Sequence, residues 1–294
     1  MKTCLHTVSY AGFWGQAALT LEDTIDRAAA LGFDGIMLMA KRPHASVLDM
    51  TPARRAELRA RLEDRGLTCA CVAGYTNFTA DPAHPDIPLR EMQIAHVTEL
   101  ARLAADLGCR VVRVFTGFEA PGLPYTKAWD LCVAALAECA DRAAEFGVTI
   151  GVQNHHDIAA GYRAMKEFLD QVGRPNCKAC FDAWSTALHG DDLVEAARVL
   201  APYTVHTTVA DYVKIPRYTY DLEHNNYVPQ TPFVLAVPVG EGFIDYCGFL
   251  GALREGGFDG YVGYEMCSPL RGGGSLENLD RCARGFVEFM KALA

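Results

Sequence analysis

The amino-acid sequence predicts an α/β fold, a single (β/α)8 TIM barrel built from all 294 residues. Amphipathic helical segments alternate with short β-rich runs along the chain, which is typical of a parallel sheet with helices outside it. Five of the helical segments end in a glycine just before a β-rich run begins. No change in composition and no linker divides the chain, so we expect one domain over residues 1–294.

The repeated junction between helix and strand is the clearest of these signals. A glycine after the last helical turn accepts the left-handed conformation that ends a helix. The five glycines in this position are Gly32, Gly66, Gly108, Gly147 and Gly257. The β-rich runs predict eight strands, with helices between them, at about 3–9, 34–40, 67–73, 110–115, 148–153, 178–182, 203–209 and 260–266.

Several helix starts are also marked. Thr20 with Asp23 has the pattern of a capping box, and Thr51 precedes a proline at the first helical position. Ser275 is placed to cap the last helix. An open doubly wound sheet is the alternative arrangement, but no Gly-x-Gly-x-x-Gly follows the first strand, which argues against its dinucleotide-binding form.

One segment, at about 211–242, interrupts the alternation of helices and strands. It has no helical period, and it contains four prolines and several aromatic residues. It follows the seventh strand, and loops at the carboxyl ends of barrel strands form the active face. We therefore expect a long active-face loop that acts as an ordered lid or an interface, with Arg217 as a candidate substrate-binding residue.

Composition limits the classes of function. The chain carries 27 Lys and Arg against 36 Asp and Glu, and this net charge of −9 disfavours nucleic acid as a partner. No run approaches the roughly 18 uncharged apolar residues of a membrane helix, and the N-terminus lacks the apolar stretch of a signal peptide. The eleven cysteines are scattered through apolar segments, as expected of buried, reduced thiols. These features predict a cytoplasmic protein that binds neither nucleic acid nor a membrane.

Polar side chains follow the last four predicted strands, where a parallel barrel strand is otherwise apolar. Strand alternation places Gln153 and His155 on one side, and His206 on the same side as the threonine two residues later. Asp182 and Glu265 end the neighbouring strands. If these side chains point inward, they form a cluster of acid, imidazole and amide groups that can hold a divalent metal. A helix cap, an arginine pair or a core histidine would account for any one of them alone.

Four other residues are candidate substrate-binding residues. Arg113 lies on the fourth strand and is either inward or paired with an acid. Trp14 and Trp184 can stack on a sugar ring, although packing at the barrel mouth would also explain them. His44 follows the second strand in a basic loop that binds an anionic group or is simply solvated.

One stretch near the end carries a family resemblance. It runs Val-Pro-Val-Gly-Glu-Gly-Phe-Ile-Asp over 237–245, followed by Gly-Gly-Phe-Asp-Gly-Tyr over 256–261 and then by Glu265. With Gly-Phe-Asp-Gly-Ile over 32–36, the chain resembles the xylose-isomerase-like sugar isomerase and epimerase superfamily, whose barrel is shared with endonuclease IV. The resemblance spans nearly the whole chain. It implies a (β/α)8 barrel with a metal held by residues from the last four strands.

The resemblance also assigns roles to individual residues. Glu265 matches the family's final glutamate, both a metal ligand and an acid/base, and Asp182 matches its aspartate ligand. His155 matches the histidine two residues after the first family glutamate.

The chain departs from the family pattern at four positions. Gln153 stands where the first glutamate is typical, and Thr208 stands where a ligand histidine is usual, with His206 two residues earlier. Ser185 and Met37 replace a histidine and a glutamate that are common in the family. A glutamine offers an oxygen to a metal but cannot act as a base near neutral pH.

The first functional hypothesis is an enzyme that abstracts a proton next to a carbonyl of a carbohydrate, polyol or hydroxy-ketone. A divalent cation (Mn²⁺, Mg²⁺, Co²⁺ or Zn²⁺) would stabilise the enediolate. Isomerisation or epimerisation is the expected outcome, with Glu265 as the base and His155 as the second acid/base. The candidate metal ligands are Gln153, Asp182, His206 and Glu265.

Two alternatives remain open. The same site can catalyse β-elimination, as a dehydratase or lyase on a keto-sugar or keto-inositol, because Gln153 leaves one base and one acid of different strength. A non-catalytic barrel that binds a sugar-like ligand or a partner subunit is the other, since the set of metal ligands is depleted. Aromatic residues in the 211–242 segment also predict a homo-oligomer.

Overall fold

Eight parallel strands form a closed barrel in a computed structural model of the chain, which describes residues 1–80 and 82–293. The strands follow one another around the barrel in chain order, and the last one pairs with the first. This arrangement confirms the predicted fold class, and each barrel strand overlaps a predicted one. The ten strands of the described residues, of which β8 and β9 lie outside the barrel, are β1 (Lys2–His6), β2 (Gly35–Met39), β3 (Thr68–Ala73), β4 (Val111–Val114), β5 (Thr149–Gln153), β6 (Cys177–Cys180), β7 (Thr204–Val209), β8 (Asp211–Asp221), β9 (Asn226–Val237) and β10 (Tyr261–Tyr264).

The α-helices of the described residues pack around the barrel with their apolar stripes facing it. In the longest of them, Cys132, Leu136, Cys139 and Ala143 lie on one face at helical spacing and are fully buried. No helix in the described ranges combines the length and apolar character needed to cross a bilayer. The helices are α1 (Leu21–Leu31), α2 (Pro52–Asp64), α3 (Leu89–Asp106), α4 (Tyr125–Ala144), α5 (Tyr162–Val172), α6 (Ala183–His189), α7 (Leu193–Leu200), α8 (Tyr246–Glu255) and α9 (Leu276–Leu293).

The glycine junctions have the conformation that their position predicts. All five have a positive φ, between 66° at Gly66 and 93° at Gly257. The predicted caps are present too, because the hydroxyl of Thr20 accepts from Asp23 N–H, and that of Thr51 accepts from Arg54 N–H. Local signals therefore set the helix ends that feed each strand into the barrel.

The segment predicted as a loop is instead a β-hairpin. Strands β8 and β9 pair in antiparallel register from Asp211 opposite Val237 to Asp221 opposite Asn226. Prolines in the segment argue against a strand in a central position, but both strands of a two-stranded ribbon are edges, where proline is tolerated. The register shifts between Ile215 and Arg217, where Pro216 lies.

The root of the hairpin is fixed to the barrel. The Asp211 carboxylate is fully buried and accepts from the backbone N–H groups of Gly240 and Gly242, both at 2.9 Å. The chain that leaves β7 and the chain that returns to α8 are therefore held together. Most residues beyond this root are exposed.

Candidate active site

A cavity of about 360 Å³ opens at the carboxyl ends of the barrel strands. This volume lies in the range of pockets that enclose small ligands, and this face of a barrel is the one that carries active sites. The polar side chains in its wall include Lys41, Arg113, Gln153, His155, Asp182 and Glu265. Of the side chains predicted to meet at the ends of the last four strands, Gln153, His155, Asp182 and Glu265 lie in this wall and His206 does not.

Asp182 lies two residues after β6 and is also the N-cap of α6. Its Oδ1 accepts from Trp184 N–H at 2.6 Å. Its Oδ2 accepts from the side-chain amide of Gln153 at 2.8 Å and from the hydroxyl of Thr208 at 2.7 Å. Burial raises the pKa of Asp182 above its ordinary value, while the Trp184 and Thr208 hydrogen bonds oppose this shift. Three donors thus occupy both oxygens of this carboxylate.

Glu265 directly follows β10 and contacts the last residue of β1. Its Oε1 lies 3.2 Å from Nδ1 of His6, which is itself fully buried. Burial by itself would raise the pKa of Glu265, but His6, Arg113 and His155 together lower this pKa to about 2. Glu265 is therefore ionised at neutral pH and is in the correct protonation state to accept a proton.

His155 lies two residues beyond β5, and its ring is held on both sides. It stacks on Trp184, with ring centroids 5.6 Å apart, and contacts Phe115, with centroids 5.1 Å apart. Burial lowers the pKa of His155, although Asp182 and Glu265 oppose the shift, so the ring is neutral at pH 7. The N–H of His156 donates to Nδ1 of His155 at 2.9 Å, which assigns the ring proton to Nε2. His155 is therefore a hydrogen-bond donor through Nε2.

The wall of the cavity formed by β2, β3 and β4 is cationic. Arg113 points inward from β4 and is 1% exposed, and Nη1 donates to the carbonyl oxygen of Gly74 at 3.2 Å. The guanidinium lies 4.1 Å from the ring centroid of Phe115 and 4.9 Å from that of Tyr75. Lys41, two residues beyond β2, places its ammonium 3.9 Å from the centroid of the same Tyr75 ring. Aromatic rings thus hold two positive charges at the edge of the cavity.

Three predicted site residues lie outside the cavity wall. His206 is buried, and its Nε2 has no hydrogen-bond partner among the described residues. Burial, together with His6 and Arg113, lowers its pKa to about 3. His44 is buried, with Nε2 3.2 Å from the carbonyl oxygen of Leu19. Arg217 is exposed on the hairpin. The two predicted tryptophans do line the cavity: Trp184 stacks on His155, and Trp14 is half-exposed at the mouth.

Sequence reasoning missed several contributors, among them His6, which contacts Glu265, and Tyr75, which lines the cavity. His6 ends β1 and Tyr75 follows β3, so both carry the same signal as the predicted residues, a polar side chain at the carboxyl end of a strand. Tyr212 and Val234, at the root of the hairpin, also line the cavity.

The residues at this site do not fit the divalent cation that the resemblance implies. The Gln153 amide nitrogen and the Thr208 hydroxyl both donate to Asp182, so two positions that should supply ligands instead occupy lone pairs of the carboxylate, and Gln153 keeps only its unpaired Oε1 for a cation. The amide orientation follows from Asp182, since the glutamine oxygen would be repelled by the carboxylate. Among the described residues, no three His, Cys, Asp or Glu side chains form a group that could hold a metal ion. His206, the proposed replacement for the lost histidine, does not reach the cavity wall.

Known proteins share this barrel. A relative from Actinoplanes sp., 2-epi-5-epi-valiolone 7-phosphate 2-epimerase, is 26% identical over 189 residues, which are 64% of this chain and 64% of that protein. The match thus spans less than two thirds of the relative's length.

Two solved structures match along almost their whole length. D-psicose 3-epimerase from Clostridium cellulolyticum, solved with D-tagatose, has a TM-score of 0.75 at 19% identity and covers 100% of this chain and 99% of its own. The probable 3-DHS dehydratase AsbF of Bacillus anthracis has a TM-score of 0.74 at 20% identity, covering 99% of both chains. At these identities the likeness concerns the fold. The model of the xylose isomerase-like TIM barrel family matches residues 25–285, and the chain belongs to that family.

Proposed function

We propose that this chain is an enzyme that isomerises or epimerises a carbohydrate-like hydroxy-ketone by removing a proton next to its carbonyl. The observation that carries the proposal is the pairing of two complementary groups in one cavity. Glu265 is an ionised carboxylate, and His155 is a neutral imidazole with its proton on Nε2. One accepts a proton and the other donates a hydrogen bond at neutral pH, as enolisation requires.

The proton transfers balance without an additional reactant. The Glu265 carboxylate takes the proton from the carbon next to the carbonyl, and the electron pair of the broken C–H bond forms the C=C bond of an enediolate. The carbonyl oxygen takes up the charge and accepts a hydrogen bond from Nε2 of His155. Return of the proton from Glu265 to the neighbouring carbon, with transfer of the hydroxyl proton between the two enediolate oxygens, gives an isomer. Protonation of the original carbon on its opposite face by a solvent water gives an epimer, and the proton held by Glu265 then neutralises the hydroxide left by that water.

The substrate class is supported by the cavity and by the relatives. Trp14 and Trp184 line the cavity with aromatic surface on which the apolar face of a sugar ring can pack. The proteins with matching structures include D-psicose 3-epimerase and 3-keto-D-glucoside 4-epimerase, enzymes named for sugars that carry a ketone. We propose a ketose or keto-glycoside, free or phosphorylated.

Solvent exchange tests this proposal directly. The protein is incubated in D₂O with a panel of free and phosphorylated ketohexoses and 3-keto-glucosides, and deuterium at the carbons next to the carbonyl is followed by NMR. We expect enzyme-dependent exchange in at least one substrate, accompanied by a new isomer or epimer. No exchange anywhere in the panel, at protein concentrations that bind the sugars, would instead support the non-catalytic barrel.

A lyase reaction is the second candidate, and Gln153 favours it. An epimerase that works with two opposed carboxylates needs a base at this position, but the Gln153 amide donates to Asp182 and cannot take a proton. The remaining base and donor, Glu265 and His155, differ in strength, which suits proton removal followed by loss of a hydroxyl group. Formation of an unsaturated product, detected by its ultraviolet absorbance, would distinguish elimination from exchange.

A homo-oligomeric state and a cytoplasmic location stay predictions. Size-exclusion chromatography with light scattering tests the first. The exposed aromatic residues of the hairpin, such as Tyr218 and Tyr227, are its basis.

A further inference from the structure

Arg113 is a buried cation with an unused binding edge. It makes one hydrogen bond, from Nη1 to Gly74, and its Nε and Nη2 have no partner among the described residues. The Nε–Nη2 edge of a guanidinium is a fork that can bind two carboxylate oxygens at once. A buried charge without a partner is strongly disfavoured, so this arrangement favours an anion supplied by a ligand.

A second buried arginine shows what a structural role looks like in the same protein. Arg55 is 8% exposed, close to the 1% of Arg113. Its Nε donates to the carbonyl oxygen of Met50 at 2.9 Å and its Nη1 to Asp106 at 2.8 Å. Arg55 thus has a carboxylate partner in Asp106. Arg113 has none within 4 Å among the described residues, and Glu265 pairs with His6 instead. The free edge is therefore a property of the cavity, not of buried arginines in this fold.

Lys41 adds a second positive charge to the same wall. Its ammonium is held over the rings of Tyr75 and Phe13, at 3.9 Å and 5.0 Å from their centroids. Like Arg113, it contributes to the lining of the cavity. On the opposite wall, Asp182 is already satisfied by Gln153, Thr208 and Trp184. Glu265 contributes a negative charge to the same cavity, so what Arg113 lacks is a hydrogen-bond acceptor on its Nε–Nη2 edge.

We propose that Arg113, assisted by Lys41, forms an oxyanion site that takes the place of the divalent cation in this chain. The site binds the charged oxygen of an enediolate, or a carboxylate that resembles it, without a metal. This inference deepens the proposed function and rests on it, because it names the group that balances the charge formed when Glu265 removes a proton. Arg113 stabilises this charge by a paired hydrogen bond.

Binding of glycolate to protein treated with EDTA tests the site without requiring turnover. Glycolate carries a carboxylate next to a hydroxyl, and isothermal titration calorimetry gives its dissociation constant. We expect Arg113→Met to weaken binding roughly 10- to 100-fold, the loss typical of hydrogen bonds to a charged group. Arg113→Lys should be intermediate, because it keeps the charge but not the fork. Arg110→Met is the matched control, since Arg110 is exposed just before the opposite end of the same strand, and its affinity should be unchanged.

A second titration, with Mn²⁺ alone, tests the replacement of the metal. The wild-type chain should show no saturable binding at the cavity, whereas Gln153→Glu combined with Thr208→His restores two ligand-type side chains beside Asp182 and should bind about one Mn²⁺ per chain. Stoichiometric Mn²⁺ binding by the wild type, or glycolate binding that needs added Mn²⁺, would overturn the proposal.

The outcomes separate this inference from the proposed function. Metal-dependent exchange in D₂O would sustain the enzyme and reject the metal-free oxyanion site. Glycolate binding that depends on Arg113, with no exchange of any ketone, would sustain the anion site and reject the enzyme. Should Arg113→Met fail to fold by circular dichroism, Arg113→Lys and Arg113→Gln carry the test, and an unchanged affinity for glycolate in both contradicts the proposal.

Discussion

The two walls of the cavity are built on opposite principles. On the wall formed by β5, β6 and β7, Asp182 is satisfied from within the protein by three hydrogen-bond donors. On the wall formed by β2, β3 and β4, Arg113 leaves two nitrogens unpaired. A charged group that already has its partners holds the structure together, whereas one that lacks them is prepared for a ligand. Glu265 also lines this cavity, and it is ionised and close to His6.

The largest expected effect is on the rate of exchange when Glu265, the proposed base, is replaced. Glu265→Gln removes the base but keeps the shape of the side chain, so exchange should fall roughly 10²- to 10⁴-fold, the range for loss of a general base, with an unchanged circular dichroism spectrum. The measurement is the rate of deuterium incorporation by NMR. Glu255→Gln, at the exposed end of α8, is the matched control, and exchange retained in Glu265→Gln would refute its role.

The next largest effect is on stability, when Asp182 on the wall of β5, β6 and β7 is replaced. Asp182→Asn presents a donor to the Gln153 amide or to the Thr208 hydroxyl, so a buried polar atom loses its partner. We expect the free energy of unfolding to fall by about 1–3 kcal/mol, measured in urea. Asp141→Asn breaks an exposed pair with Arg174 and should destabilise the protein much less, because solvent screens this pair. Equal losses in the two variants would show that Asp182 is not held as described.

The pH dependence of the free energy of unfolding tests the environment of the buried His206. The pKa of His206 is about 3 in the folded protein, below its ordinary value in the unfolded chain. Between these two pKa values the unfolded chain therefore binds more protons than the folded protein. His206 lowers the free energy of unfolding little above pH 6.5, and lowers it increasingly as the pH falls. Between pH 6.5 and pH 5 the expected loss from this residue is roughly 2 kcal/mol. In His206→Gln, urea unfolding should show a shallower pH dependence, and an identical slope would contradict this environment.

The smallest effect is expected from the distal hairpin, which belongs to neither wall. Only its root, with Tyr212 and Val234, lines the cavity. Replacing residues 216–232 with Asn-Gly joins Ile215 to Phe233, which already face each other, through a tight turn. We expect KM to change less than about twofold, because the removed residues do not reach the ligand. A tenfold rise in KM would show instead that the tip closes over the cavity.

The fold was predictable because its signals are local. Glycines such as Gly32 and Gly147 end helices through their own backbone freedom, and the apolar runs that follow them form strands wherever a barrel provides neighbours. The hairpin was not, because Pro216, Pro229 and Pro232 read as breaks in a strand unless the strand is known to be an edge. Edge position is a property of the whole sheet.

The site was predictable to the level of which strand ends meet. Asp182 and Glu265 come together across the barrel because parallel strands share one carboxyl end. The direction of a hydrogen bond was not predictable, since the choice of Gln153 as a donor to Asp182 depends on side-chain rotamers. Side chains in loops, such as His44, follow no strand alternation, and its ring turns toward Leu19.

A crystal structure with glycolate bound in the presence of EDTA tests the central claim most directly. The account predicts the carboxylate on the Nε–Nη2 edge of Arg113, with the carbon next to it about 3–3.5 Å from an oxygen of Glu265, the separation of a reactive arrangement. Glycolate bound away from Arg113, or a metal ion found between Gln153, Asp182 and Glu265 in protein that binds glycolate only with that metal, would contradict it.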